Sequence, residues 1–128
     1  MPSMKILLIA GGWSSEREVS LTGARGMQEA LLKRGHAVTF FDLLENFDEL
    51  LETARQHDFA LINLHGSPGE DGLVQAMLEK AGCPYPGSGP SGSFLALNKA
   101  AAKQIFRMAG LPTADWEFLP VRPAEGWE

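Results

Sequence analysis

Three clusters of polar side chains interrupt the apolar and helical stretches of this 128-residue sequence. The first is Gly11-Gly12-Trp13-Ser14-Ser15-Glu16-Arg17-Glu18-Val19-Ser20, the second His65-Gly66-Ser67-Pro68-Gly69-Glu70-Asp71-Gly72, and the third the pair Lys99 and Lys103. A carboxylate at Glu16 can hold an ammonium group, while an imidazole at His65 or a helix N-terminus can hold a carboxylate. Together they suit a small zwitterion. Lys99 and Lys103 stand one helical turn apart and can meet phosphate, or they can form a solvated helix face. The acids and the histidine have plainer readings too. Glu16 also suits a first-turn acid complementing a helix dipole. His65 can be a structural strand-end residue, and Glu70 and Asp71 can form a turn and cap before a helix. Ser15 and Glu18 have capping-box spacing, so the pattern predicts a helix starting at Ser15 with Glu18 as its structural partner.

The elements that must position these groups follow from hydrophobic periodicity. Ile6 to Ala10 is continuously apolar, as in a parallel strand covered on both faces. Glu18 to Arg34 carries Leu21, Ala24, Gln28 and Leu31 at helical spacing and stops at Gly35. Ala37 to Phe41 predicts a second strand closed by Asp42, completing a βαβ unit. A weak helix over 46–57, a third strand Phe59–Leu64 and a helix Leu73–Ala81 come next. The rigid connection 82–90 leads to two helical segments, Ser91–Leu97 and Lys99–Ala109, ended by Gly110-Leu111-Pro112. Thr113 to Leu119 then predicts the start of a new strand. Both polar loops follow strands, and in a parallel sheet they would share the carboxyl edge, where open α/β folds bind ligands. An acid after the second strand is where a dinucleotide fold would hold ribose, but the first turn is not G-x-G-x-x-G and Glu16 would repel pyrophosphate. A nicotinamide-dependent oxidoreductase is therefore disfavoured, and Asp42 reads as a strand-end polar residue.

A net charge of −5 with both signs interspersed leaves no footprint for nucleic acid or an anionic membrane. No apolar run approaches the roughly 20 residues of a membrane span, and no signal segment is expected. Cys83 is the single cysteine, so an intrachain disulfide is excluded and a cytoplasmic setting is the simplest. Beside Gly82 and Pro84, Cys83 reads as a small buried apolar residue. The three histidines lack metal-ligand spacing, and His36 and His57 read as solvated element ends.

Taken together, the motifs resemble a known family. Gly11-Gly12-x-Ser-x-Glu16-Arg17-Glu18-Val19-Ser20 is similar to the N-terminal motif of D-alanine–D-alanine ligases, and His65-Gly66-x-x-Gly69-Glu70-Asp71-Gly72 to their second motif. Pro84-Tyr85-x-Gly87-Ser88-Gly89, Asn98-Lys99 and Gly110-Leu111-Pro112 continue the pattern in the family's order. The resemblance implies a three-layer, Rossmann-like (pre-ATP-grasp) α/β domain over 1–112 with a mostly parallel sheet. Residues 113–128 would be the truncated start of the ATP-grasp domain. It implies an ATP-dependent ligase joining two D-alanines through an acylphosphate for peptidoglycan precursors, with ATP and Mg2+ (or Mn2+) bound mainly by sequence beyond Leu119. By the same resemblance Glu16 would hold the ammonium of the first D-alanine, Val19 and Ser20 would shape its pocket, and His65 would lie beside the reacting substrate. Lys99 would approach the nucleotide phosphates. Catalytic turnover would be absent from this stretch alone, and pairing of two copies through it is a family habit. Trp13 occupies a usually small or polar position, and Asn98 stands where Asp is common. A stand-alone binding module of the same fold, or a relative making D-alanyl-D-lactate or D-alanyl-D-serine, are the other readings.

Overall fold

The computed structural model describes residues 2–119 and 121. Its centre is a parallel three-stranded sheet of β1 (Lys5–Ala10), β2 (Ala37–Asp42) and β3 (Phe59–Asn63), in the order β2-β1-β3. β1 is therefore paired on both sides, Ile6 to Ala10 facing Val38 to Asp42 on one side and Phe59 to Asn63 on the other. Successive strand side chains point to opposite faces, which sorts the apolar run into two cores. Leu7 and Ile9 enter the larger core with Leu43, Leu50, Ala54, Val74 and Leu78. Leu8 and Ala10 pack with Ala24, Leu21 and Val38 on the other face. A strand buried on both faces has no polar alternation, which is why β1 reads as continuous hydrophobe.

The first helix, α1 (Arg17–Lys33), covers the second face through Leu21 and Ala24. It begins differently from the capping-box prediction: Glu16 holds the N-cap position without a side-chain cap, and the Ser14 hydroxyl, not Ser15, accepts from the Glu16 N–H (3.2 Å). The expected helix over 46–57 is broken into α2 (Leu43–Asn46), a 3-10 turn (Phe47–Glu49) and α3 (Leu50–Ala54). Asp42 causes the early start, because its carboxylate accepts from Leu44 N–H (3.1 Å) and caps α2. α4 (Leu73–Ala81) packs on α3 and buries Val74 and Leu78. α5 (Pro90–Leu97) touches α4, and α6 (Lys99–Met108) packs on α5.

Several local expectations are corrected. The segment 111–119 forms no strand: its backbone joins neither edge of the sheet, β2 or β3. Lys103 holds it instead, donating to the Thr113 hydroxyl (3.0 Å) and the Ala114 carbonyl (2.9 Å). Within the stretch 113–128, residues 120 and 122–128 lie outside the described residues. His36 and His57 are half-buried and bonded at the amino edge of the sheet: Met4 N–H donates to His36 Nδ1 (3.3 Å), and His57 bridges the Thr53 carbonyl and the Thr39 hydroxyl, both at 2.7 Å. In the connection after α4, Pro84 accepts from Ala60 N–H (2.8 Å), so the extended piece there touches β3 at one point.

Candidate functional site

The loops after β1 and β3 lie against each other at the carboxyl edge, because β1 and β3 are neighbours. Gly12 sits where a Cβ would touch Leu64 and Pro68, and Gly66 sits against the Ser14 side chain. Gly11 and Gly12 both adopt positive φ (+81° and +76°), which lets the chain turn sharply between strand and helix. Ser20 locks the junction. Fully buried on the inner side of α1, its hydroxyl accepts from Gly11 N–H (2.8 Å) and donates to the Asn63 carbonyl. Asn63 returns a bond from its side-chain amide to the Ser20 carbonyl (2.7 Å). The ends of both strands are thus tied to one helix turn.

The second loop closes on itself. Glu70 accepts from Gly66 N–H (2.9 Å), Asp71 accepts from Leu73 N–H (3.0 Å), and Ser67 donates to Asp71. The turn-and-cap reading of Glu70 and Asp71 matches these bonds. Gly69 is required by packing, since a Cβ there would lie 2.2 Å from Leu64 Cβ.

Glu16 is exposed on the first loop, and His65 is half-buried on the second. Among the described residues neither side chain forms a hydrogen bond, so the carboxylate and the imidazole have their polar atoms available to a ligand. Val19 is 64% exposed on the first turn of α1, a short apolar surface beside Glu16. The Ser20 hydroxyl is consumed within the protein, and it fixes the loop rather than facing solvent.

Lys99 opens α6, away from the Glu16 turn, on a cleft of about 380 Å³ shared with Glu70, Gln75, Ser88 and Ser93. Glu70 belongs to both regions, so the cleft runs from the second loop towards Lys99. Gln75 is buried in its wall, donating to the Gly69 carbonyl (2.6 Å), while its Oε1 has no partner among the described residues. Lys103 is separated from Lys99 in role by its bonds to Thr113 and Ala114. Asn98 caps α6, accepting from Ala101 N–H (3.1 Å), a task that Asp performs equally well.

One charged pair escaped sequence reading. Arg17 Nη1 and Nη2 donate to the two carboxylate oxygens of Asp42 at 2.7 and 2.6 Å, across 25 positions of chain. This bidentate bond holds the Asp42 carboxyl below the usual carboxylate range, against the opposing effect of burial, and raises Arg17. Asp42 is thereby committed within the fold, consistent with a strand-end role and not with ribose binding. Among the described residues no group of three His, Cys, Asp or Glu side chains could hold a metal ion.

No protein-family model matches the chain. Individual relatives do. The chain is 75% identical over 125 residues to a D-alanine–D-alanine ligase of Desulfovibrio desulfuricans, covering 98% of this chain and 41% of the relative. It is 69% identical over the same length, with the same coverage, to a D-alanine–D-alanine ligase of Nitratidesulfovibrio vulgaris strain Hildenborough. The fold agrees: a Bacillus anthracis D-alanine–D-alanine ligase solved in complex with ATP superposes with a TM-score of 0.83 at 38% identity.

Over nearly its whole length this chain is similar to D-alanine–D-alanine ligases.

A second solved structure, the D-alanyl-alanine synthetase A of Vibrio cholerae, gives a TM-score of 0.73 at 30% identity over 93% of this chain and 41% of its own. The chain thus spans about two fifths of the length of its ligase relatives. The expected α/β fold with a parallel sheet is present as such. No helix of the described residues is long and apolar enough to cross a membrane.

Proposed function

We propose that residues 1–112 form the N-terminal, substrate-side domain of an ATP-dependent D-alanine–D-alanine ligase, with 113–128 leading into its ATP-grasp part. The observation that carries the reading is the convergence of the Glu16 and His65 loops on one sheet edge, in a chain 75% identical to a D-alanine–D-alanine ligase. Glu16 binds the ammonium of the first D-alanine by a charge-assisted hydrogen bond. Val19 packs beside the substrate methyl, and His65 flanks the reacting carboxylate. Ser20 and Asn63 keep the two loops at a constant separation. Lys99, at the far end of the cleft, faces the phosphates. ATP supplies the phosphoryl group that activates the first carboxylate. The divalent ions, Mg2+ or Mn2+, take their ligands mainly from sequence beyond Leu119, as in the ligases this chain resembles. The enzyme acts in the cytoplasm, and a second copy can pair through this domain.

The test is ADP formation by the full-length protein with magnesium and D-alanine. Turnover is expected with D-alanine and not with L-alanine, and Glu16→Gln is expected to lower kcat/KM for D-alanine by about 100-fold, the cost of losing a charge-assisted hydrogen bond to the ammonium. Equal turnover with L-alanine, or an unaffected Glu16 variant, overturns the reading.

A further inference from the structure

Glu16 is exposed, and among the described residues its carboxylate forms no hydrogen bond, so its position is set by the backbone that carries it. That backbone is held on its inner side by Leu64, Pro68 and Gly66, as described above. Its outer side meets the turn that follows β2, and two unrelated contacts join them. Arg17, the residue after Glu16, forms the bidentate pair with Asp42, and its Nη1 also reaches the Gly12 carbonyl (3.4 Å). Trp13 meets Phe47 edge-on, with ring centroids 5.4 Å apart and planes at 72°.

The receiving turn is itself rigid. The Asp42 carboxylate accepts from Leu44 N–H and its carbonyl from the Asn46 side chain (3.1 Å), while Phe47 packs onto the larger core. The pair passes over Gly11 with no space to spare: a Cβ there would lie 2.4 Å from Arg17 Nη1 and 2.7 Å from Asp42 Oδ1. Arg17 and Asp42 side chains are only 23% and 17% exposed, so the guanidinium is withdrawn from solvent and from Glu16.

We infer that the Asp42–Phe47 turn is the positioning wall of the Glu16 loop, with Asp42 acting by sequestering Arg17 and Phe47 by seating Trp13. The inference rests on the reading of Glu16 as the ammonium-binding residue. Its physical content is a competition. Arg17 adjoins Glu16 in the chain, so a guanidinium released from Asp42 becomes an intramolecular rival to the substrate ammonium for one carboxylate. Trp13, large where the family is usually small or polar, is held by Phe47 and keeps the loop from swinging outward. Asp42, Arg17, Trp13 and Phe47 are positioning residues, since they act through Glu16.

The experiment is steady-state kinetics of the full-length protein. Asp42→Asn is expected to raise KM for D-alanine by about tenfold to a hundredfold while kcat at saturating D-alanine and KM for ATP change little. The double variant Asp42→Asn with Arg17→Gln removes the rival cation and is expected to recover most of the D-alanine KM. A merely structural pair would not show that recovery. Trp13→Ala is expected to raise the D-alanine KM, with Trp13→Phe restoring it because the edge-on contact survives. Unchanged D-alanine KM in folded Asp42→Asn, or in Trp13→Ala where Asp42→Asn does not fold, overturns the inference. A double variant no better than the single overturns the competition with Arg17. Wild-type protein indifferent to D-alanine, or to Glu16→Gln, instead overturns the underlying reading of the site.

Discussion

Two regions of this molecule are built from similar amounts of apolar sequence and end in opposite states. Around β1, Leu7, Leu8, Ile9 and Ala10 are all withdrawn from solvent, and strand ends, glycines and polar groups interlock. In α5, α6 and 111–119 no helix residue is buried, and Phe94, Ile105, Phe106, Leu111 and Phe118 are exposed, with Met108 83% so. The difference is one of partners. β1 has a strand on each side and a helix layer on each face. α5 and α6 have chiefly each other, α4 and a tethered extended segment, which Lys103 bonds and on which Arg107 sits over the Trp116 ring at 5.8 Å. Amphipathic pattern alone therefore does not produce a core. Burial requires a second surface, and only the sheet region has one on every side.

Substitutions measure that contrast directly. The largest effect is expected in the sheet core: Leu78→Ala removes a fully buried side chain and should cost about 3 kcal/mol or more in urea denaturation. Gly72→Ala follows, because Gly72 has φ +93° and a Cβ would meet the Pro90 carbonyl at 2.4 Å. About 2 kcal/mol is expected, from strain at the α4–α5 junction. Next is a pH effect on the Arg17–Asp42 pair. Arg17 holds Asp42 below the ordinary carboxylate range, so between the folded and unfolded values the unfolded chain binds more protons. The pair's contribution, about 1 kcal/mol for a partly exposed bidentate bond, is fully present above about pH 4. It is lost as pH falls through the depressed folded value. Acid denaturation of Asp42→Asn should lack that component. The smallest effect belongs to α6: Ile105→Ala, at a half-exposed position, should cost less than about 1 kcal/mol. Amide hydrogen exchange should give the same order, with β1 far slower than α6. A protected α6, or an Ile105 variant as damaging as Leu78→Ala, would break the comparison.

Cysteine chemistry offers a smaller check on the same core. Cys83 is 3% exposed, and burial pushes its thiol up, with Asp58 adding to the effect. A thiol reagent at pH 8 should label Cys83 only after denaturant unfolds the sheet.

The order of the elements was legible because each carries its own period. The continuous hydrophobe of β1, the helical stripe of α1 and the glycine stops at 35, 82 and 110 are local signals, and each bounds an element where expected. The two polar loops were legible for the same reason, and their motifs carry the resemblance to D-alanine–D-alanine ligases. The errors share another cause. The capping box at Ser15 did not form: α1 starts one residue later with Glu16 at its N-cap, and Arg17, its first residue, bonds Asp42 25 positions away. The tie of the Ser20 hydroxyl to Asn63 on β3, 43 positions away, was not legible either. The strand over 113–119 failed because the segment pairs with neither edge of the sheet, and a strand is defined by its neighbour, a helix by its own backbone bonds.

Sequence by itself determined a βαβ-built α/β chain, an acid after the first strand, a histidine after the third and a resemblance to D-alanine–D-alanine ligases. Tertiary structure alone decided which polar groups are spent inside the fold and which are left for a ligand. Ser20, Asn63, Arg17 and Asp42 are consumed by partners far along the chain, while Glu16 and His65 are not. Hydrogen-bond satisfaction depends on which atoms the sheet order brings within 3 Å or so, and that order, β2-β1-β3, is not a local property of any segment.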